Sequence, residues 1–129
     1  MSYYFEKTIK NLTFEEAEQQ ITEKLKDEGF GILTEIDVQN TLKSKLDVDF
    51  RKYKILGACN PPFSHKALTA EPNIGLMLPC NVVVQEKEDK TVNVTVVDPV
   101  ASMQAVNNDE LKEVAKTIKE KLQKALANL

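Results

Sequence analysis

Residues with reactive side chains are scarce in this sequence. It contains two cysteines, one histidine and four glycines. Two cysteines are too few for a zinc site built from cysteine alone, and no glycine-rich loop of the phosphate-binding kind is present. The serines also lack the G-x-S-x-G setting of a nucleophile elbow. The sequence therefore offers no familiar active site, and whether the protein is an enzyme stays open.

Long hydrophobic runs and an excess of positive charge are also missing. The apolar stretches are far shorter than the roughly 18 residues that indicate a membrane span. The stretch 1–7 lacks the basic start and apolar core of a signal peptide. A formal net charge of -3 provides no broad basic surface for nucleic acid or anionic lipid. We therefore expect a cytoplasmic protein that binds neither nucleic acid nor membrane.

The length of the chain bounds its organisation. A chain of 129 residues predicts a single domain, residues 1–129, whose core needs no disulfide or metal. No repeat, low-complexity block or long linker divides it. In the cytoplasm, its two cysteines are expected to be reduced thiols.

Hydrophobic periodicity predicts nine elements in the order β-α-β-α-β-α-β-β-α. The clearest are two amphipathic helices, of which one follows a capping box of Thr13 and Glu16 and the other begins at Asn107 or Asn108. The valine-rich stretches 76–86 and 91–97 flank a polar reversal, which predicts an antiparallel hairpin. The expected fold is a two-layer α+β domain, with a mainly antiparallel sheet and helices packed on one face.

The other elements have weaker patterns. Apolar runs predict strands over 3–9, 31–36 and 53–59. A stripe of Val38, Leu42 and Leu46 predicts a short helix after the second strand. The stretch 63–70 predicts another short helix, capped by Asn60 or Ser64.

Two stretches, GACNPPFSH and LMLPCNVVV, each place a Cys-Asn pair close to a proline. Proline at the end of a strand leaves irregular backbone, which the amides of Asn60 and Asn81 could bond. Buried cysteine most often acts as a small hydrophobic residue. We predict that Cys59 and Cys80 are reduced, mostly buried and close together. With their asparagines they form the candidate site for a small ligand or a partner.

Two other functions for these residues stay open. Cys59 precedes a predicted helix whose dipole would lower the pKa of a thiol, which favours a thiol-redox protein. Thiolate and imidazole also suit zinc or copper, so Cys59, Cys80 and His65 form an alternative metal site. A module with a purely structural role is the third class.

The stretches KILGACNP and IGLMLPCNVVV, followed by Asp98-Pro99, resemble the prokaryotic family named domain of unknown function 302. The resemblance covers nearly the whole chain. It implies a small α+β domain, often a stand-alone chain, that forms a homodimer. It implies no settled activity, and the cofactor stays unknown. The aromatic run Tyr3, Tyr4 and Phe5 agrees with self-association, because alternation along a strand buries only one of its faces.

Overall fold

The computed structural model describes residues 2–129. The strands are β1 (Tyr4–Ile9), β2 (Gly31–Asp37), β3 (Tyr53–Cys59), β4 (Cys80–Glu86) and β5 (Val92–Val97). The helices are α1 (Phe14–Asp27), α2 (Val38–Leu46), α3 (Pro61–Ala70), α4 (Pro99–Ser102) and α5 (Asp109–Ala127). This order confirms the predicted α+β class. Of the helices described here, none combines the length and the hydrophobicity needed to cross a bilayer.

All five strands join one antiparallel sheet in the order β1-β5-β4-β3-β2. The predicted hairpin is confirmed, since β4 pairs with β5 from Val82 opposite Val96 to Glu86 opposite Val92. On the β2 edge, an extra residue, Leu33, bulges out of the pairing with β3. A bulge on an edge strand discourages uncontrolled pairing with other chains.

One face of the sheet is covered by α1 and α5. Both helices contact strands and each other, and α3 lies against α5. The strand side chains beneath them are fully buried, with Val82, Val84, Val94 and Val96 all at 0% exposure. This face supplies the main core, as expected for helices packed on one side of a sheet.

Hydrogen bonds at the helix starts match the capping patterns in the sequence. Thr13 Oγ1 accepts from the Glu16 amide at 3.1 Å, and Glu16 Oε1 accepts from the Thr13 amide at 2.9 Å. Asn108 Oδ1 accepts from the Leu111 amide at 3.1 Å, while its side-chain amide donates to the Ala70 carbonyl. Asn108 therefore caps α5 and also ties it to the end of α3.

Two segments differ from the sequence-based expectation. Strand β4 begins at Cys80 rather than at residue 76, because Pro72–Met77 forms a 3₁₀ helix. That helix leaves Leu76 87% exposed. Helix α2 forms where it was predicted, but its apolar stripe is not buried, and Leu46 is 66% exposed. The pattern identified these residues as apolar but did not show whether anything covers them.

Candidate functional site

The two Cys-Asn pairs lie at neighbouring ends of β3 and β4. Ala58 pairs with Cys80, and Gly57 pairs with Asn81. Because side chains alternate along a strand, Cys80 points toward the helices whereas Asn81 points to the opposite face. Cys59 likewise lies on the face opposite Ala58. The structure thus brings the four predicted residues together but divides them between two sides of the sheet.

Cys80 and Asn60 belong to the covered side. Cys80 is 7% exposed, and burial raises the pKa of its thiol to about 11, with a smaller contribution from Cys59. This thiol is therefore protonated at neutral pH and is a poor nucleophile. Asn60 is also buried, and its Nδ2 donates to the Glu28 carbonyl at 3.1 Å. Asn60 occupies the N-cap position of α3, but its side chain anchors the α1–β2 turn instead of capping the helix.

A small cavity adjoins these two residues. It has a volume of about 20 Å³ and lies between the ends of β3 and β4, α3 and α5. Its polar contacts come from Asn60 and Ser64, and the remaining lining is Cys80 with apolar side chains. A cavity of this size accommodates about one water molecule. A small ligand could not enter here without movement of the core.

By strand alternation, Cys59 and Asn81 belong to the other side of the sheet, although Cys59 is the last residue of β3 and its sulfur reaches α3. Cys59 is half-buried, and its Sγ is 3.2 Å from Ser64 Oγ of α3. Asn81 is exposed. Of the two asparagines, Asn60 is therefore the one that fixes buried backbone.

The metal alternative does not match the structure. Helix α3 packs against the protein through its buried residue Ala67, and His65 on the same helix is exposed. Cys80 is buried within the covered side, so the imidazole cannot join it as a ligand. Within residues 2–129, no group of three or more histidine, cysteine, aspartate or glutamate side chains could hold a metal ion. The structure therefore does not support the alternative in which Cys59, His65 and Cys80 bind a metal.

The face of the sheet opposite α1 and α5 is the most unusual surface of the protein, and we call it the uncovered face. It consists of the sixteen strand residues whose side chains alternate with those of the core. They are Tyr4, Glu6, Thr8, Gly31, Thr34, Ile36, Tyr53, Ile55, Gly57, Cys59, Asn81, Val83, Gln85, Asn93, Thr95 and Val97.

The uncovered face is almost free of charge. Among its sixteen described residues Glu6 alone is charged, although 29% of the whole chain is. Val83, Ile55 and Ile36 stand side by side in one row across three strands, and Ile36 is 48% exposed. A sheet face in contact with water normally carries polar side chains, and this face also does, but apart from Glu6 its polar residues, such as Gln85 and Thr95, are uncharged. Depletion of charge around exposed apolar residues is instead typical of a protein interface.

Close packing closes part of this face near Asn81. Gly57 is buried, and a Cβ atom there would lie 2.6 Å from Pro79 Cγ and would also collide with Thr34 Oγ1. These two side chains therefore close over Gly57, and only glycine fits beneath them. At this point the face is closely packed and has no pocket.

A signal for the uncovered face was present in the sequence. Val82, Val83 and Val84 are consecutive, as are Ile55 and Leu56. A strand with one solvated face alternates apolar and polar residues, whereas a continuous apolar run is typical of a strand buried on both faces. The run predicted a strand correctly, but it also indicated a second contact surface.

Fold and surface together define a small α+β domain with one covered and one uncovered sheet face. The family model described as "Domain of unknown function DUF302" matches residues 5–129, and the chain belongs to this family. The chain is also similar to the crystal structure of an uncharacterized conserved protein DUF302 from Bacillus stearothermophilus. The two share 28% sequence identity, the TM-score is 0.90, and the match covers 98% of each chain. No curated protein matches the chain.

Proposed function

We propose that this chain is a cytoplasmic binding domain that acts as a homodimer, with the uncovered face as the contact between its two copies. The observation that carries the proposal is the row of Val83, Ile55 and Ile36 on a face with one charged residue. Burial of apolar surface is the main driving force of association. Without a partner, the exposed parts of these three side chains would be in contact with water.

The size of the face supports a stable contact. Five strands about 4.8 Å apart and about six residues long, at roughly 3.4 Å each, give a flat area of about 500 Å². Projecting side chains make the accessible surface larger than the flat area. It therefore approaches the roughly 800 Å² per partner that specific interfaces bury.

A second copy of this chain is the partner that the surface fits best. A twofold contact requires a surface that is complementary to itself. A face with one charged residue and an apolar row from the edge strand β2 to β4 is compatible with this requirement, and two stacked sheets form the sandwich arrangement common in proteins. The resemblance to the family also led us to expect a homodimer.

Within this proposal, the candidate ligand-binding residues lie at the margin of the contact. By strand alternation, Cys59 and Asn81 belong to the same side of the sheet as the apolar row. A second sheet stacked on this face would create a cleft beside them, whereas Asn60 and Cys80 line a cavity for about one water. A small ligand would therefore bind between the copies.

The test is the mass of the protein in solution. Sedimentation at micromolar concentration should give a dimer for the wild type and a folded monomer for Val83→Asp, because the new carboxylate would be buried in the contact. The matched control is Val100→Asp on α4, which lies outside the uncovered face and should stay dimeric. A wild-type protein that is monomeric throughout, or a Val83→Asp dimer, would refute the proposal.

A further inference from the structure

We infer that Glu6 of each copy forms an ion pair with Arg51 of the other copy. This inference rests on the homodimer proposed above, and it assigns the contacts that orient the two sheets. Glu6 and Arg51 are charges of opposite sign at different margins of the uncovered face. Among residues 2–129, neither of them has an oppositely charged group within 4.0 Å.

Arg51 is held in place by its own chain. Its guanidinium lies over the Phe50 ring, 4.4 Å from the centroid, and 5.5 Å from the centroid of the Tyr53 ring. Its Nε donates to Gln85 Oε1 at 2.9 Å. Since Tyr53 and Gln85 belong to the uncovered face, the guanidinium lies at the margin of that face. Stacking and one hydrogen bond fix its orientation and leave the Nη groups to bind a carboxylate.

The surroundings of Arg51 include carboxylates of the same chain. Glu88 and Asp89 line a shallow surface depression together with Arg51 and Lys87. Neither carboxylate lies within ion-pair distance of the guanidinium. Asp89 instead accepts hydrogen bonds from the amide and the hydroxyl of Thr91.

Glu6 lies on the edge strand β1, at the end of the row that contains the apolar residues. It pairs with Thr95, which in turn pairs with Val83. Its exposed carboxylate lies on the uncovered face and raises the pKa of the neighbouring Tyr4 phenol. On a surface otherwise free of charge, this carboxylate would oppose stacking unless the partner supplied a cation.

Twofold symmetry makes the pairing reciprocal. If Glu6 of one copy meets the partner's Arg51, the same rotation brings Arg51 of the first copy to the partner's Glu6. Gln85, which holds Arg51, is on β4, and Glu6 is two strands away on β1. A twofold axis that crosses the face between them produces two ion pairs, and β5, with Thr95 and Asn93 on this face, lies between the two positions. The two pairs would fix the angle between the sheets, which apolar contact alone leaves variable.

A charge-swap experiment tests this assignment. Glu6→Lys alone places two like-charged pairs in the dimer, and so does Arg51→Glu alone. Each variant should dimerise at least about tenfold more weakly than the wild type, since like charges at an interface are costly. In a heterodimer of the two variants, the introduced lysine faces the introduced glutamate, and the native Arg51 faces the native Glu6. Sedimentation and native mass spectrometry should show that an equimolar mixture forms this heterodimer with near wild-type affinity.

The controls separate this inference from the proposed function. Glu23→Lys makes the same charge change on the exposed side of α1 and should leave the dimer unchanged. Circular dichroism checks that each variant folds. If a charge-reversal variant does not fold, the milder variant Glu6→Gln or Arg51→Met is used in its place. If the mixture of the two variants associates as weakly as each variant alone, the ion pairs are refuted. The dimer itself would still be supported if Val83→Asp is a monomer. A monomeric wild type would overturn both.

Discussion

The two faces of the sheet are built from the same strands but have different surroundings. On the covered face, Val82, Val84 and Val96 are fully buried beneath α1 and α5. On the uncovered face, Val83 and Val97 alternate with them along the same strands and are only half-buried. Apolar residues therefore occupy both sides of β4 and β5, although helices cover one side only.

The difference shows which of the apolar residues this chain uses for its own stability. The covered face forms a continuous core with helical residues such as Ile21 and Leu122, so folding of the single chain buries it. The uncovered face contributes little to that core. We propose that its low content of charged residues reflects a contact made after folding, with a second chain.

The largest expected difference between the faces comes from adjacent valines of β4. In Val84→Asp, a carboxylate without a partner replaces a fully buried side chain, which costs roughly several kcal/mol. We expect this variant to be mostly unfolded by circular dichroism and to lack a cooperative melting transition. Val83→Asp should instead keep a cooperative transition as a monomer. A stable, folded Val84→Asp protein would show that the covered face is not the core.

A smaller effect is expected from the thiol on the covered face. The ordinary pKa of a cysteine thiol is 9.0, and burial raises that of Cys80 to about 11. Below pH 9 the thiol is protonated in both the folded and the unfolded chain. Between these two values only the unfolded chain releases the proton, so the free energy of unfolding falls as the pH rises. A shift of about two units corresponds to a loss of roughly 3 kcal/mol.

Urea unfolding of the wild type and of Cys80→Ala from pH 8 to pH 11 measures this loss. Both proteins lose stability at alkaline pH through their lysines and tyrosines, so the difference between them isolates the thiol. We expect the stability of the wild type to fall more steeply than that of Cys80→Ala. Cys59→Ser is the matched control, since this cysteine is only half-buried and on the other face. Parallel curves for the wild type and Cys80→Ala would contradict the burial of Cys80.

The elements that the sequence predicted best are those with local signals. Helices α1 and α5 combine a side-chain cap at Thr13 or Asn108 with an apolar stripe, and both signals lie within a few consecutive residues. The β4–β5 hairpin likewise depends on neighbouring segments. The early start predicted for β4 was wrong, because exposed Leu76 gave the same apolar signal as a buried strand residue.

The candidate site was harder to predict because it depends on strand register. A shift of one residue would move every side chain of a strand to the other face. The sequence indicated that Cys59 and Cys80 end neighbouring strands, but it could not show that they face opposite sides. The exposure of His65 depended in the same way on which side of α3 packs against α5. These facts follow from tertiary packing, which no short stretch of sequence specifies.

The central claim is that a second copy covers the uncovered face, and the reactivity of a thiol introduced there tests it most directly. In a Cys59→Ser background, Thr95→Cys places the thiol between Glu6 and Val83 on that face. Thr117→Cys places a matched thiol at an equally half-buried position on α5, outside the uncovered face. The labelling rate of Thr95→Cys should fall as the protein concentration rises and dimer forms, while that of Thr117→Cys stays constant. A dimer in which Thr95→Cys is labelled as fast as in the monomer would contradict the account.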